Sequence, residues 1–315
     1  MKRILITGIN GFVGTNFTNN WFRNHKIVGL DIHQPEKDGV EHIFGWDELG
    51  KVPPVDAIVH LAGKAHDTKN RSEAQVYFDV NTGLTQKIFD YFLQSDARTF
   101  IFFSSVKAAA DSVPGDVLTE EVVPAPVGPY GESKIRAEEY ILNKLSAVSD
   151  QQLDKRVYIL RPCMIHGPGN KGNLNLLYSV VKKGIPWPLG AYENRRSFCS
   201  IDNISYVVEQ LIVKESIESG IYHVGDDESL STNELIKLIG ESVGRRSHIW
   251  QLPKGLMNGA AAIGGALKLP LNKERLRKLT ENYVVSNAKI KAALGIDKMP
   301  VSAKEGMRKT LDSFR

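Results

Sequence analysis

A tyrosine and a lysine stand four residues apart in the segment GPYGESKIRAEEY. The first half of this segment has the composition of a loop, and the second half has that of an exposed helix. Residues i and i+4 lie on one face of a helix, so Tyr130 and Lys134 can point at the same place. The pair is compatible with a structural role, in which the tyrosine ring packs over the aliphatic part of the lysine side chain. It also fits a phenol whose pKa is lowered by a nearby ammonium, which would allow proton transfer near neutral pH.

Two serines, Ser104 and Ser105, follow the apolar run TFIFF, which we expect to be a strand. In doubly wound sheets, ligands bind beyond the carboxyl ends of the strands. A hydroxyl at this position can therefore meet Tyr130 and Lys134 at a bound ligand.

A glycine-rich segment, TGINGFVG, follows the first apolar run of the chain. Gly8, Gly11 and Gly14 permit a tight turn and let a pyrophosphate approach the N-terminus of the next helix. Asp31 ends the second apolar run, where a carboxylate accepts hydrogen bonds from an adenosine ribose. This charge repels the extra phosphate of NADP, and no arginine follows in IHQPE. The sequence therefore favours NAD.

The composition narrows the class of protein. The chain has 315 residues, is 42% hydrophobic, and carries 40 basic against 36 acidic residues, a balance that disfavours nucleic acid as a partner. Its two cysteines lack metal-ligand spacing and fit a reducing compartment. No apolar run approaches the roughly 20 residues that span a bilayer, and the first run is too short for a signal peptide. We expect a cytoplasmic protein without a metal site or a membrane partner.

Five continuous apolar runs in the first 165 residues are expected to be strands covered on both faces. The runs are 3–8, 26–31, 57–63, 99–105 and 156–162, with helical stretches at 12–24, 80–94 and 133–148. The repeated order of strand, helix and strand predicts an α/β fold with a doubly wound parallel sheet of the Rossmann type.

The pattern changes after Pro162, where glycine and proline interrupt the chain. We expect residues 1–165 to form the NAD-binding domain. Residues 166–315 are expected to form mainly a smaller substrate-binding lobe, partly discontinuous, from which some segments return to the sheet.

Taken together, these motifs resemble the extended short-chain dehydrogenases/reductases of the NAD-dependent epimerase/dehydratase family, of the UDP-glucose 4-epimerase type. The matching residues are TGINGFVG, Asp31, HLAG (60–63), Asn81, SSV (104–106), YGESK (130–134) and RPCMIHGPG (161–169). The resemblance runs over essentially the whole chain. Each motif alone is common, and their combination is specific.

The resemblance implies a catalytic role for three residues. Tyr130 would exchange the proton of a sugar hydroxyl, Lys134 would lower the phenol's pKa and hold the nicotinamide ribose, and Ser105 would hydrogen-bond the reacting oxygen. His60 is expected to be structural. The implied cofactor-binding residues are Gly8, Gly11, Phe12, Val13, Gly14, Asp31, Leu61, Ala62, Gly63, Asn81, Ser104, Tyr130 and Lys134.

The resemblance also implies a nucleotide-sugar substrate. Ser105, Asn173 and Leu174 would contact the sugar and nucleobase, with the latter two matching the family's Asn-Leu pair. Arg196 would bind the diphosphate, although a solvated basic turn also fits NRRS. The family's usual motif for a second arginine is missing, and Arg275 or Arg277 is a candidate replacement.

Two reactions remain open for this set of residues. Val106 and Lys107 stand where dehydratases carry an Asp-Glu pair, which argues against dehydration. The favoured reaction is NAD-dependent epimerisation at carbon 4 of a UDP-hexose or UDP-N-acetylhexosamine. The alternative is NAD(P)H-dependent reduction of a 4-keto-6-deoxy nucleotide sugar, and a non-catalytic nucleotide-binding module is disfavoured. The resemblance further implies a homodimer that serves bacterial polysaccharide biosynthesis.

Overall fold

A computed structural model describes residues 1–65, 73–147, 154–266 and 272–315. Within these ranges, seven parallel strands form one sheet in the order β3-β2-β1-β4-β5-β6-β9, and β7 and β8 form a separate parallel pair. The strands are β1 Arg3–Thr7, β2 Lys26–Leu30, β3 His42–Phe44, β4 Ala57–His60, β5 Thr99–Phe103, β6 Arg156–Pro162, β7 Met164–His166, β8 Phe198–Ser200 and β9 Gly220–Val224. The predicted doubly wound α/β sheet is confirmed.

The helices of the same ranges alternate with the strands in the first half of the chain and dominate the second half. They are α1 Phe12–Trp21, α2 Ala74–Tyr77, α3 Leu84–Gln94, α4 Val106–Ala109, α5 Pro129–Ser146, α6 Asn173–Lys182, α7 Ile201–Val213, α8 Thr232–Ser242, α9 Lys254–Ala266, α10 Lys273–Thr280, α11 Ala288–Leu294 and α12 Ala303–Asp312. A π-helical turn, Phe78–Gly83, joins α2 to α3, and a 3-10 turn spans Leu49–Lys51. Across the described residues, no helix has the length and apolarity required to cross a membrane.

Apolar side chains cover the sheet on both faces. Ile4 and Ile6 of β1 pack in one cluster with side chains of α1 and α7, while Leu5 between them packs in another with α3 and α5. Alternate residues of a strand point to opposite faces, so a strand covered on both sides needs a continuous apolar run. This burial leaves the carboxyl edge of the sheet as the place where polar groups can meet.

A third apolar cluster lies in the C-terminal half of the chain and is built mainly from α6, α8 and α12. Strand β9 from this half pairs with β6 and so completes the large sheet. The division at residue 165 stays a prediction, and β9 is a later segment that returns to the sheet.

Four of the five predicted strands end earlier than their apolar runs, whereas β6 has the bounds 156–162 that its run predicted. The residues just beyond β1, β2, β4 and β5 leave the ladder at the carboxyl edge. They include Gly8, Asp31, Gly63 and the serine pair, which are all candidate site residues. Helix α5 begins earlier than predicted, at Pro129, because Gly128 takes a positive φ of 83° and proline suits the first helical position.

Gly8 lies where the strand order reverses between β1 and β4, and its replacement gives a test of the fold at that point. Its φ is 68°, and a Cβ built on it would lie 2.8 Å from backbone atoms of Ala62. Gly115 has a similar φ of 79° with open space around it. We expect Gly8→Ala to lower the free energy of unfolding by at least about 2 kcal/mol and Gly115→Ala by about 1 kcal/mol. If urea unfolding gave equal losses of unfolding free energy for Gly8→Ala and Gly115→Ala, the close approach of Ala62 would impose no constraint on position 8.

Candidate active site

The side chains of Ser105 and Tyr130 meet at the carboxyl edge of β5. Ser105 caps α4, and its Oγ accepts a hydrogen bond from the backbone N–H of Lys107 at 3.2 Å. Tyr130 lies in the first turn of α5, and its phenol is close enough to the Ser105 side chain for that side chain to influence the phenol's pKa. The start of α5 and the end of β5 thus bring the hydroxyl groups of Tyr130 and Ser105 close together.

Lys134 lies one turn further along α5 and is almost completely buried. Its Nζ donates a hydrogen bond to the carbonyl oxygen of Phe103 at 2.8 Å, which fixes the ammonium at the end of β5. A Cβ built on Gly63 would lie only 3.2 Å from this Nζ. Glycine at position 63 therefore lets the turn after β4 approach the ammonium.

Burial changes the pKa of both groups. It lowers the pKa of Lys134 from 10.5 to about 8, and the negative charge of Glu138 opposes this change. Burial also raises the pKa of Tyr130, and the hydrogen bond from Ser105 opposes the rise. The sequence-based expectation of a lowered Tyr130 pKa is therefore not met in the protein alone, since desolvation of the phenolate outweighs the hydrogen bond.

Asn81 connects three segments around this centre. It is fully buried in the π-helical turn, and its Oδ1 accepts a hydrogen bond from the backbone N–H of Lys64 at 2.7 Å. Its Nδ2 donates to the Lys64 carbonyl oxygen at 3.1 Å and to Ser133 Oγ at 2.9 Å. These bonds tie the turn after β4 to α5, so Asn81 holds the surroundings of Lys134. Direct contact of Asn81 with a cofactor stays a prediction.

Ser104 faces away from the phenol. Its hydroxyl donates a short hydrogen bond to Glu138, whose carboxylate is also bound by Arg161. Ser105 is thus the serine of this pair whose side chain interacts with Tyr130. His60 lies between two hydroxyl groups, with Nδ1 2.6 Å from Thr7 Oγ1 and Nε2 3.0 Å from Thr85 Oγ1.

The glycine loop has the geometry of an anion cradle. Gly11 takes an extended conformation at the N-terminus of α1, which Phe12 and Val13 begin. A Cβ built on Gly14 would lie 2.7 Å from the carbonyl oxygen of Gly8, so glycine at this position lets the loop fold tightly against the helix. The first N–H groups of α1 then point out of the loop, as a pyrophosphate requires.

Asp31 lies beside this loop. Its carboxylate accepts hydrogen bonds from the backbone N–H groups of Asn10 at 2.9 Å and Ile32 at 2.8 Å. A carboxylate has about four acceptor positions, so it can also accept the hydroxyl groups of a ribose.

Lys37 is a residue that the sequence reasoning missed. Its Nζ donates to the carbonyl oxygen of Ile9 at 2.6 Å and to Thr15 Oγ1 at 3.1 Å. Burial lowers its pKa, and the charge of Asp31 opposes this effect. The available signal was a lysine six positions after Asp31, directly after the segment IHQPE.

The residues predicted to bind substrate occupy two elements. Asn173 and Leu174 begin α6, where Leu174 is buried and Asn173 is exposed. Arg196 donates a hydrogen bond to the carbonyl oxygen of Lys278, and burial lowers its pKa. The side chain of Arg275 lies outside the described residues. Arg277, the other candidate, contacts Asp111 at 3.3 Å.

Lys107 is a second residue whose setting the sequence did not reveal. It lies two positions after Ser105, and its Nζ donates to the Asp111 carbonyl oxygen at 2.7 Å and its carboxylate at 3.2 Å. The same Nζ lies 4.4 Å from the ring centre of Tyr283. Burial lowers the pKa of Lys107, and the positive charge of Arg196 contributes to the same effect. Lys107 and Arg277 thus share Asp111 as an acidic partner.

Comparison with known proteins identifies relatives along the whole chain. The model of the NAD dependent epimerase/dehydratase family matches residues 4–225. A UDP-glucose 4-epimerase from Vibrio cholerae is 30% identical over 332 residues, which cover 99% of this chain and 95% of that protein.

Two solved structures have the same fold. One is UDP-N-acetylglucosamine 4-epimerase from Bacillus cereus, with a TM-score of 0.76, 18% identity and coverage of 99% of this chain and 98% of that chain. The other is MoeE5 in complex with UDP-glucose and NAD, with a TM-score of 0.75, 19% identity and the same coverage. The family model and the Vibrio relative show that this chain belongs to the NAD-dependent epimerase/dehydratase family.

Proposed function

We propose that this chain is an NAD-dependent nucleotide-sugar 4-epimerase, which oxidises and re-reduces carbon 4 of a UDP-hexose or UDP-N-acetylhexosamine. The observation that carries the proposal is that the Ser105 and Tyr130 side chains interact beside the buried ammonium of Lys134. The 30% identical relative is a UDP-glucose 4-epimerase, which supports the same reaction.

The residues of the glycine loop fit NAD. The N–H groups at the start of α1 would hold the pyrophosphate, because Gly8, Gly11 and Gly14 keep side chains out of the cradle. Asp31 would accept the hydroxyl groups of the adenosine ribose. When bound, NAD supplies the redox chemistry at carbon 4.

Tyr130 and Ser105 would handle the proton of the sugar's 4-hydroxyl group. Oxidation of a carbinol carbon requires removal of the proton from its oxygen, and the phenolate of Tyr130 can accept this proton. Ser105 would donate a hydrogen bond to the same oxygen. Lys134 would favour the phenolate by its positive charge, which it carries below a pH of about 8.

The second half of the chain would hold the nucleotide diphosphate. The planar guanidinium of Arg196 can pair with two oxygens at once, and Asn173 and Leu174 would contact the base and sugar. Val106 and Lys107 offer no carboxylate for removing water from the sugar, so the proposed reaction stops at epimerisation.

We also propose a cytoplasmic homodimer that serves polysaccharide biosynthesis. The dimer would use α3 and α5, and Leu142 on α5 is an exposed apolar side chain suited to such a contact.

Lys37 favours a second candidate, an NAD(P)H-dependent 4-ketoreductase. Its ammonium hydrogen-bonds the glycine loop near Asp31, where it could meet the additional phosphate of NADPH. A reductase would release its cofactor after each turnover, whereas an epimerase regenerates it.

The released nucleotide tests which reaction occurs. We would denature the purified protein, identify the nucleotide it releases, and incubate the native protein with UDP-glucose or UDP-N-acetylglucosamine without added cofactor. Stoichiometric NAD and inversion at carbon 4 support the epimerase. An empty site, together with NAD(P)H consumption on a 4-keto nucleotide sugar, would overturn it in favour of the reductase.

Replacing Tyr130 tests the proton transfer. We expect Tyr130→Phe to lower kcat by about 10²- to 10⁴-fold, because the phenylalanine ring carries no hydroxyl group to transfer the proton. The content of bound NAD should stay unchanged. Tyr140→Phe is a matched control on the same helix. The Tyr140 hydroxyl donates a hydrogen bond to Asp90 at 2.8 Å, so this substitution should leave kcat unchanged. Normal turnover in Tyr130→Phe would refute the assignment.

Replacing Lys134 tests whether its buried charge costs stability. A pKa of about 8 instead of 10.5 corresponds to a cost of about 3 kcal/mol at pH 7. Lys134→Met removes this cost and also the hydrogen bond to Phe103, so we expect the free energy of unfolding to rise by about 1–2 kcal/mol at pH 7. Activity should be lost.

The pH dependence of unfolding provides the check on this interpretation. Between pH 8 and 10.5, the unfolded protein binds more protons at Lys134 than the folded protein does, so wild-type stability should rise with pH. The advantage of Lys134→Met in urea unfolding should therefore shrink over this range. Lys144→Met, at an exposed lysine of the same helix, should show no such effect. A less stable Lys134→Met protein at pH 7 would contradict the predicted cost.

A further inference from the structure

A fully buried ion pair lies behind the catalytic helix. Glu138 follows Lys134 by one turn of α5, and its carboxylate faces Arg161 of β6. Arg161 Nη2 donates to Oε2 at 2.6 Å and Nε donates to Oε1 at 3.0 Å. The hydroxyl of Ser104 donates to the same carboxylate. Three elements, α5, the end of β5 and β6, are thus joined at one carboxylate.

Stability alone does not explain an ion pair at this place. Desolvating two charges costs several kcal/mol per ion, and apolar residues of similar volume often stabilise such a position as well or better. The pair must therefore be considered together with its neighbours. Glu138 is near enough to Lys134 that its charge counteracts the effect of burial on the lysine's pKa.

The other groups that face Lys134 carry no compensating negative charge in the described part of the chain. Tyr130 on α5 is a neutral phenol at pH 7, and burial followed by the charge of Lys134 holds the pKa of His60 on β4 well below 6.5. Behind Arg161, His223 on β9 is neutral as well, because burial lowers its pKa to about 4. Glu138 is therefore the anion that acts on the ammonium.

We propose that Glu138 is a positioning residue that keeps Lys134 in its charged form, while Arg161 and Ser104 hold the Glu138 carboxylate in place. The proposal rests on the role of Lys134 in the proposed function.

Glu138→Gln tests this role with little change of shape. The amide oxygen can still accept hydrogen bonds from Ser104 and from Arg161 Nε, whereas the amide nitrogen replaces the acceptor of Arg161 Nη2, and the negative charge is gone. We expect the high-pH decline of kcat to move to lower pH by about one unit, because Lys134 then loses its proton more readily. At pH 6.5, kcat should recover to within about threefold of wild type. KM for the nucleotide sugar should not change.

A second variant covers the case in which Glu138→Gln does not fold because Arg161 is left buried without its partner. The double variant Glu138→Gln/Arg161→Met removes both charges. Glu139→Gln is the matched control, since Glu139 is the next residue of α5 and is exposed. A purely structural role of the ion pair would lower stability in the first two variants without moving the pH profile.

The titration of Lys134 can also be measured without substrate. In protein labelled with ¹³C and ¹⁵N at lysine, NMR follows the side-chain signal of Lys134, which is identified by its absence in Lys134→Met. A lower midpoint in Glu138→Gln or the double variant, with no change in Glu139→Gln, supports the proposal. An unchanged midpoint in the folded variants overturns it. Both results stand even if no nucleotide sugar is epimerised, which would refute only the proposed function.

Discussion

The burial of one ammonium group constrains the site more than any other feature. Lys134 is enclosed by protein, yet it keeps a pKa of about 8 and so remains charged at neutral pH. A carbonyl oxygen from β5 binds it, and the absence of a side chain at Gly63 makes room for it. Each of these contacts comes from a different segment, so the charge can exist there only when the sheet, the turn after β4 and α5 are assembled together.

The parallel sheet explains why these segments meet. Helices cover both of its faces with apolar side chains, so polar groups collect at the carboxyl edge. The strand order reverses between β1 and β4, which opens a crevice there. The glycine loop, Asp31 and Ser105 follow strand ends at this edge, and Tyr130 lies in the first turn of α5. The cofactor cradle and the proton-transfer group are thus adjacent as a consequence of the topology.

Local patterns in the sequence predicted much of this arrangement. The α/β fold, the epimerase family and its NAD dependence are confirmed. They could be predicted because continuous apolar runs, the glycine spacing and the Tyr130/Lys134 spacing are features of short stretches of sequence. The predicted strand ends lie up to three residues too late. Residues such as Leu61 and Gly63 continue the apolar run in the sequence but lie beyond the last paired residue of β4. The individual roles of the site residues stay predictions.

What the sequence did not reveal depends on contacts between distant residues. Arg161 bonds Glu138, and Asn81 bonds both Lys64 and Ser133, and neither pairing has a signal in a single sequence. Lys37 bonds the glycine loop, and its position shortly after Asp31 is the one sequence signal for that contact. The raised pKa of Tyr130 has the same origin, because it follows from the burial that the assembled fold imposes. Packing therefore sets the electrostatics that a spacing motif alone cannot supply.

The most direct test of the account is the fate of the hydrogen on carbon 4 of the sugar. UDP-glucose or UDP-N-acetylglucosamine with deuterium at carbon 4 would be incubated with the protein in ordinary water and followed by NMR. We expect inversion at carbon 4 with the deuterium retained, since this hydrogen leaves and returns within one closed site. Inverted product that has lost its deuterium to water, or bound NAD without any inversion of these sugars, would contradict it.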